Sequence, residues 1–159
     1  MRNGLSASDH VRDVISSCAQ TLYALRVLRA HGMCDAALQA IYRSVVVAKL
    51  LYASSAWSGF IGATDRQRVD AFLGRSKGCG YCPPDLPSFE ELLKTSDQQL
   101  FDKIQLNQRH LLYSLLPPPS VASQNYDIRP RAHNRQLPSH TGHLTDSNFI
   151  TRMLFTDIY

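Results

Sequence analysis

With 159 residues, 44% of them apolar and 19% charged, the chain is long enough for one domain with its own core, or for a small domain with a tail. A net charge of +4 and a pI near 9.0 lean mildly toward an acidic partner such as nucleic acid. The opening "MRNGLSASDH" has no apolar leader, and the most apolar run, "SVVVAKLLYASSAW", is interrupted by Lys49 and falls short of the roughly 20 residues that cross a bilayer. The expectation is an intracellular protein, cytoplasmic or nuclear, without membrane contact and with its four cysteines reduced.

The first predicted element runs from about Ser8 to Ala30. Val11, Val14, Ile15, Cys18, Leu22, Leu25 and Leu28 recur at steps of three and four, which lays an apolar stripe on one helical face. Asp9 and Asp13 near its start and Arg26 and Arg29 near its end suit the macrodipole, and Gly32 supplies a stop. A second helix is expected from about Asp35 to Ser55, with Leu38, Ile41, Val45, Ala48 and Tyr52 on one stripe and Val46 and Leu50 broadening it. "SGFIGA" breaks the pattern. Thr64 and Gln67 then have capping-box spacing ahead of a third helix, about Asp65 to Ser76, that buries Val69, Phe72 and Leu73 and exposes Arg66, Arg68 and Arg75.

"KGCGYCPPDLP" is loop by composition. Ser88 with Glu91 gives a second capping box, before a region whose apolar faces come from Leu92, Leu93, Leu100, Phe101, Ile104, Leu111, Leu112 and Leu115. "KTSD" and "LNQ" suggest two or three short helices there. The prolines from Pro117 end helical structure, because proline has no amide donor. From Ser120 to about Thr145 the chain is too polar to bury surface and is read as extended or disordered, and Phe149, Ile150, Met153 and Leu154 predict a last amphipathic helix. The fold class is therefore all-α: a loose 1–8, a small helical bundle over 9–78, a Gly/Pro linker over 79–87, short helices over 88–116, a flexible tail over 117–145 and a terminal helix over 146–159.

The chemistry on offer is limited. Cys79 and Cys82 have C-x-x-C spacing, but a zinc site needs four converging ligands and the only second pair, His140 and His143, is far downstream and too closely spaced. A redox pair would want a strand before it and a helix after it, where Pro83 and Pro84 stand. No metal and no cofactor is expected. Ser6, Ser8, Asp9 and His10 read as helix capping, the chain holds no G-x-S-x-G, P-loop or H-E-x-x-H, and no catalytic residue is assigned. The remaining candidates are phosphate contacts: Arg66, Arg68, Arg75 and Lys77 around the third helix, and Arg129, Arg131 and Arg135 in the tail, with Tyr126 and His133 interleaved. A solvated charged face is the competing reading.

"CAQTLYALRVLRAHGM" followed by "ALQAIYRSVVVAKLLYASSAWSGF" resembles the region just after the palm of non-LTR (LINE-type) retrotransposon reverse transcriptases. The resemblance continues through Asp65, Arg68 and Phe72, "GYCPPDLPSFEEL", "LFDKIQLNQRHLLYSLLPPP", "YDIRPRAHNRQLP" and "NFITRMLF", covering about Asp9 to Tyr159. It implies a thumb-like helical bundle that packs against the minor-groove side of a template–primer duplex. Family members polymerise DNA on RNA with palm aspartates that hold two metal ions, and this chain has no Asp-Asp or Asp-Glu pair. The resemblance thus implies a truncated C-terminal fragment that is no enzyme by itself and binds RNA or DNA weakly and without sequence preference. The alternative it leaves is an inactive remnant of a decayed repeat, self-associating through the face that would pack on a palm.

Overall fold

Val11, Cys18 and Leu25 stand seven residues apart, and in the computed structural model they form the buried line of α1 (Ala7–Ala30). The structure describes residues 6–120, 133–139 and 142–156. Among these the only regular elements are helices, with no strand, only an isolated bridge between Pro119 and Arg135. The chain divides into two compact units, Met1–Lys94 and Thr95–Tyr159.

In the first unit, α1 ends as the sequence predicts. Gly32 takes φ 89°, its amide donates to Arg29 O, and Met33 N donates to Leu28 O, the paired bonds of a Schellman stop. The start differs from expectation: Ser6 is the N-cap residue but its side chain caps nothing, and Ser8, inside the helix, donates its hydroxyl to Asp65. The second helix begins at Asp35 and passes from α2 (Asp35–Ile41) through a π-helical turn, Tyr42–Val47, into α3 (Ala48–Leu51). The wider i→i+5 turn takes more residues per revolution, so positions at steps of four stay on one side. Leu38, Tyr42, Val46 and Leu50 are buried accordingly, while Val45, Ala48 and Tyr52, placed on the apolar stripe by a regular helical reading, face solvent.

The helix ends at Leu51, four residues before the predicted end at Ser55, with Tyr52 as its C-cap. Ala53 adopts φ 50°, a left-handed conformation that is unfavourable for a residue with a Cβ. The short α4 (Ser54–Trp57) and a 3-10 turn, Ser58–Phe60, follow. Trp57 fixes this corner: its indole donates to Tyr52 O at 3.1 Å, and its ring stacks on Phe89 at 6.3 Å. α5 (Ala63–Gly78) starts earlier than predicted. Gly62 is therefore the N-cap, and Thr64 lies inside the first turn, where it closes no capping box. Val69, Phe72 and Leu73 are buried as expected. The segment 79–87, read from sequence as a linker, contributes Tyr81, Cys82 and Leu86 to the core.

The Ser88–Glu91 capping box is present: Ser88 N donates to Glu91 Oε2 at 2.9 Å, and Glu91 N donates to Ser88 Oγ at 3.3 Å. It opens α6 (Phe89–Leu106), which runs unbroken through "KTSD" where a break was expected and ends at "LNQ" where one was expected too. The unit boundary falls within α6, whose Phe89 and Leu93 belong to the first core.

The second unit has its own core of Phe101, Ile104, Leu116, Phe149, Met153 and Leu154. "KTSD" fails to break α6 because Asp97 has a tertiary role: it is buried and pairs with Arg152 at 3.1 Å. Leu111 and Leu115, predicted on apolar faces, are exposed around a 3-10 turn at Tyr113–Leu115. The described part of the polar tail is extended but pinned, with Ser120 N donating to Asn134 O at 2.8 Å and Gln136 N to Pro118 O at 2.9 Å. His133 is buried there. Its Nε2 meets Leu154 O at 2.8 Å and its Nδ1 accepts from Arg135 N at 3.1 Å, so both ring nitrogens are used. After α7 (His143–Asp146) comes α8 (Phe149–Phe155), capped by Asn148, whose side chain accepts from Ile150 N at 2.9 Å.

Candidate nucleic-acid interface

The basic residues of α5 do not form one patch. At about 100° per residue, Arg68 and Arg75 share one side of the helix and Arg66 and Lys77 share another, roughly 160–180° away. The buried stripe of Asp65, Val69, Phe72, Leu73 and Ser76 lies between them. Position around the helix then decides what each cation does.

On one edge the charges turn inward. Arg66 donates from Nη2 to Ser58 O at 3.0 Å, and Lys77 donates from Nζ to Leu86 O at 2.7 Å. Lys77 gives the Leu86 carbonyl a donor in the turn after α5, and Arg66 adds a donor to the turn before it. On the other edge the charges face water. Arg68 is exposed and pairs with the buried carboxylate of Asp65 at 3.2 Å. Arg75 is exposed, and its side chain has no hydrogen bond or ion pair among the described residues.

In the tail, Arg135 is a structural residue. Its Nη1 donates to Pro117 O at 3.1 Å, its Nη2 donates to the Tyr113 hydroxyl at 3.2 Å, and its guanidinium lies 5.2 Å from the Tyr113 ring centre. Arg129, Arg131 and Tyr126 lie outside the described residues. His133 packs edge-on to Phe101 at 6.0 Å and presents no face for a base to stack on.

All four cysteines are free. Cys18 and Cys82 are buried, and Cys34 and Cys79 are exposed. Burial raises the Cys18 thiol to about 11, against a smaller opposing pull from the Lys49 ammonium, and raises the Cys82 thiol as well. Burial also pushes the Tyr42 phenol up, and although Ser76 and Cys82 lie beside it, no hydrogen bond of acceptable geometry reaches its hydroxyl. Among the described residues no three His, Cys, Asp or Glu side chains are grouped to hold a metal ion. His140, half of the alternative zinc pair, lies outside them.

Gly80 explains the C-x-x-C stretch better than its thiols do. It takes φ 75°, its amide donates to Lys77 O at 2.9 Å, and Tyr81 N donates to Ser76 O at 3.1 Å, a second Schellman stop. Arg29 locks this turn to α1, and sequence reading assigned it only to the macrodipole. Its Nη1 donates to Cys79 O at 2.7 Å, its Nη2 pairs with Asp35 at 3.1 Å, and its guanidinium lies 4.1 Å over the Tyr81 ring. Periodicity carries no signal for such a residue, because its partners stand far away in sequence.

One helical stretch among the described residues, Asp35–Phe60, is long and apolar enough by length and composition to cross a membrane. The core helix of a folded domain passes the same test, and Leu38, Tyr42, Val46 and Leu50 of this stretch line the first core. No family model matches the chain, and no curated protein or solved structure matches it either.

Proposed function

We propose that the chain is a helical nucleic-acid-contacting element that holds backbone phosphates weakly and without sequence preference. The observation that carries this is the row of Arg68 and Arg75 on the solvent side of α5, with Arg75 committed to no partner among the described residues. A net charge of +4 supports it, and so does the resemblance to the thumb region of non-LTR reverse transcriptases. The reading includes no catalytic step, since the chain carries no pair of adjacent aspartates for a polymerase metal site. Of the seven cations proposed from sequence, Arg66, Lys77 and Arg135 serve internal carbonyls, so the affinity should be low.

Titration against a primer–template duplex at two salt concentrations tests the reading. Binding is expected at low salt and should fall steeply with added salt, because neutralised phosphates release counterions. No binding at low salt overturns it.

A second reading has its own observation. Leu106, Leu111, Leu115 and Leu144 of the second unit are 86%, 91%, 63% and 75% exposed. Large apolar side chains in that number favour self-association or capture by a partner over a solitary chain. Light scattering across a concentration series separates the cases: a monomer at all concentrations argues against this reading.

A further inference from the structure

We infer that the solvent side of the groove between α1 and α5 is the surface that takes the nucleic-acid backbone, and that Arg26 belongs to it together with Arg68 and Arg75. The inference rests on the nucleic-acid reading above and gives it a location.

α1 and α5 lie side by side and run in the same direction. Near their N-termini Ser8 bonds Asp65, and at their C-terminal ends Arg29 bonds Cys79 O. Ser8 and Arg26 are eighteen residues apart on α1, five full turns, so Arg26 points in the direction in which Ser8 is seen to touch α5. On α5, Arg68 bonds the same Asp65 that Ser8 does, and Arg75 stands two turns further along the same side. Counted back from the Arg29–Cys79 bond, Arg26 stands three residues before the tied end of α1 and Arg75 four residues before the tied end of α5.

The charge balance changes along that groove. Its lower half is neutralised by Arg12 with Asp9 at 2.7 Å and Arg68 with Asp65 at 3.2 Å. In the upper half Arg26 and Arg75 are exposed and have no ion pair among the described residues. The next acids along each helix, Asp13 and Asp70, are turned roughly 140° away from Arg26 and Arg75 respectively. The outward surface of α5 beside this row is Gln67, Ala71, Gly74 and Gly78, and nothing lies within 4 Å of a Cβ built on either glycine. That surface lets a sugar–phosphate chain approach closely. On α5 it lacks the large apolar side chains that an interfacial helix inserts into a lipid headgroup layer, while on α1 Tyr23 and Val27 are exposed beside Arg26.

The test uses the full chain and a primer–template duplex, comparing wild type with the double variant Arg26→Gln, Arg75→Gln and a control, Lys103→Gln, Arg109→Gln, that removes the same charge from exposed sites elsewhere. The double variant should bind more weakly, with a salt slope shallower by about 1.4–1.8, while the control keeps the wild-type slope. Each single Arg→Gln variant should lose about half of that difference, and thermal melts should be unchanged. If wild type binds and the double variant keeps its slope, the groove is the wrong surface while the functional reading stands. If the control weakens binding as much, net charge and not the groove is responsible. If wild type fails to bind at low salt, both ideas fall. Equal Arg26- and Arg75-dependent binding to phosphatidylserine vesicles would overturn nucleic acid as the occupant.

Discussion

The guanidinium of Arg29 donates to the carbonyl oxygen of Cys79 across fifty residues of sequence, at 2.7 Å. Arg29 precedes the glycine stop of α1 and Cys79 precedes the glycine stop of α5, so one side chain ties two helix ends together. Because the same guanidinium also pairs with Asp35 and covers Tyr81, Arg29→Met should cost about 2 kcal/mol in urea unfolding. Arg29→Lys should recover little of this, since an ammonium cannot fork between two acceptors while lying flat on a ring. Full recovery by lysine would show that charge alone matters at this position.

Thiol chemistry should follow burial. A chromogenic disulfide reagent should titrate Cys34 and Cys79 in the native protein and all four cysteines in denaturant. Cys18 adds an alkaline dependence. Its ordinary value of 9.0 is raised to about 11 by burial, so its contribution is complete below pH 9 and is lost as pH rises toward and through 11. The Tyr42 phenol shifts in the same direction. Unfolding midpoints should therefore drop between pH 9 and 11, and Cys18→Ala should flatten part of that fall. An identical fall in the variant would rule the thiol out as its source.

The cap of α6 can be tested from both sides. Ser88→Ala removes the hydroxyl partner of the Glu91 amide and should cost about 1 kcal/mol. Hydrogen bonds from Ser88 hold the Glu91 carboxyl below its ordinary 4.5, so that contribution is present above this value and is lost as pH falls below it. The Arg43 guanidinium likewise holds Asp85 below 3.8. Acid unfolding of Glu91→Gln should begin from a lower stability and show a shallower dependence below pH 4.5. Parallel acid limbs for variant and wild type would refute this.

Asp97 and Arg152 form a mostly buried pair within the second unit. Removing the carboxylate takes a close counter-charge from a mostly buried guanidinium, so Asp97→Ala should cost about 3 kcal/mol, while Asp97→Leu combined with Arg152→Met should restore most of it. Hydrogen exchange should report the loss at Phe101, Ile104 and Leu154, the core of that unit. A double variant as unstable as the single one would mean that the pair contributes through packing.

What the sequence by itself determined is local. The seven-residue spacing of Val11, Cys18 and Leu25, the glycine stop after α1 and the Ser88–Glu91 cap each lie within one helix or its end, and short-range sterics and hydrogen bonding settle them. Tertiary structure alone decided what each charge meets. Arg66, Arg68, Arg75 and Lys77 look equivalent in composition, yet helix azimuth turns two toward backbone carbonyls and two toward water. The π turn at Tyr42–Val47 likewise redistributes the valines that a regular helix would have placed otherwise. A long, flexible cation takes whichever acceptor the packing brings within reach, and that acceptor is rarely close in sequence.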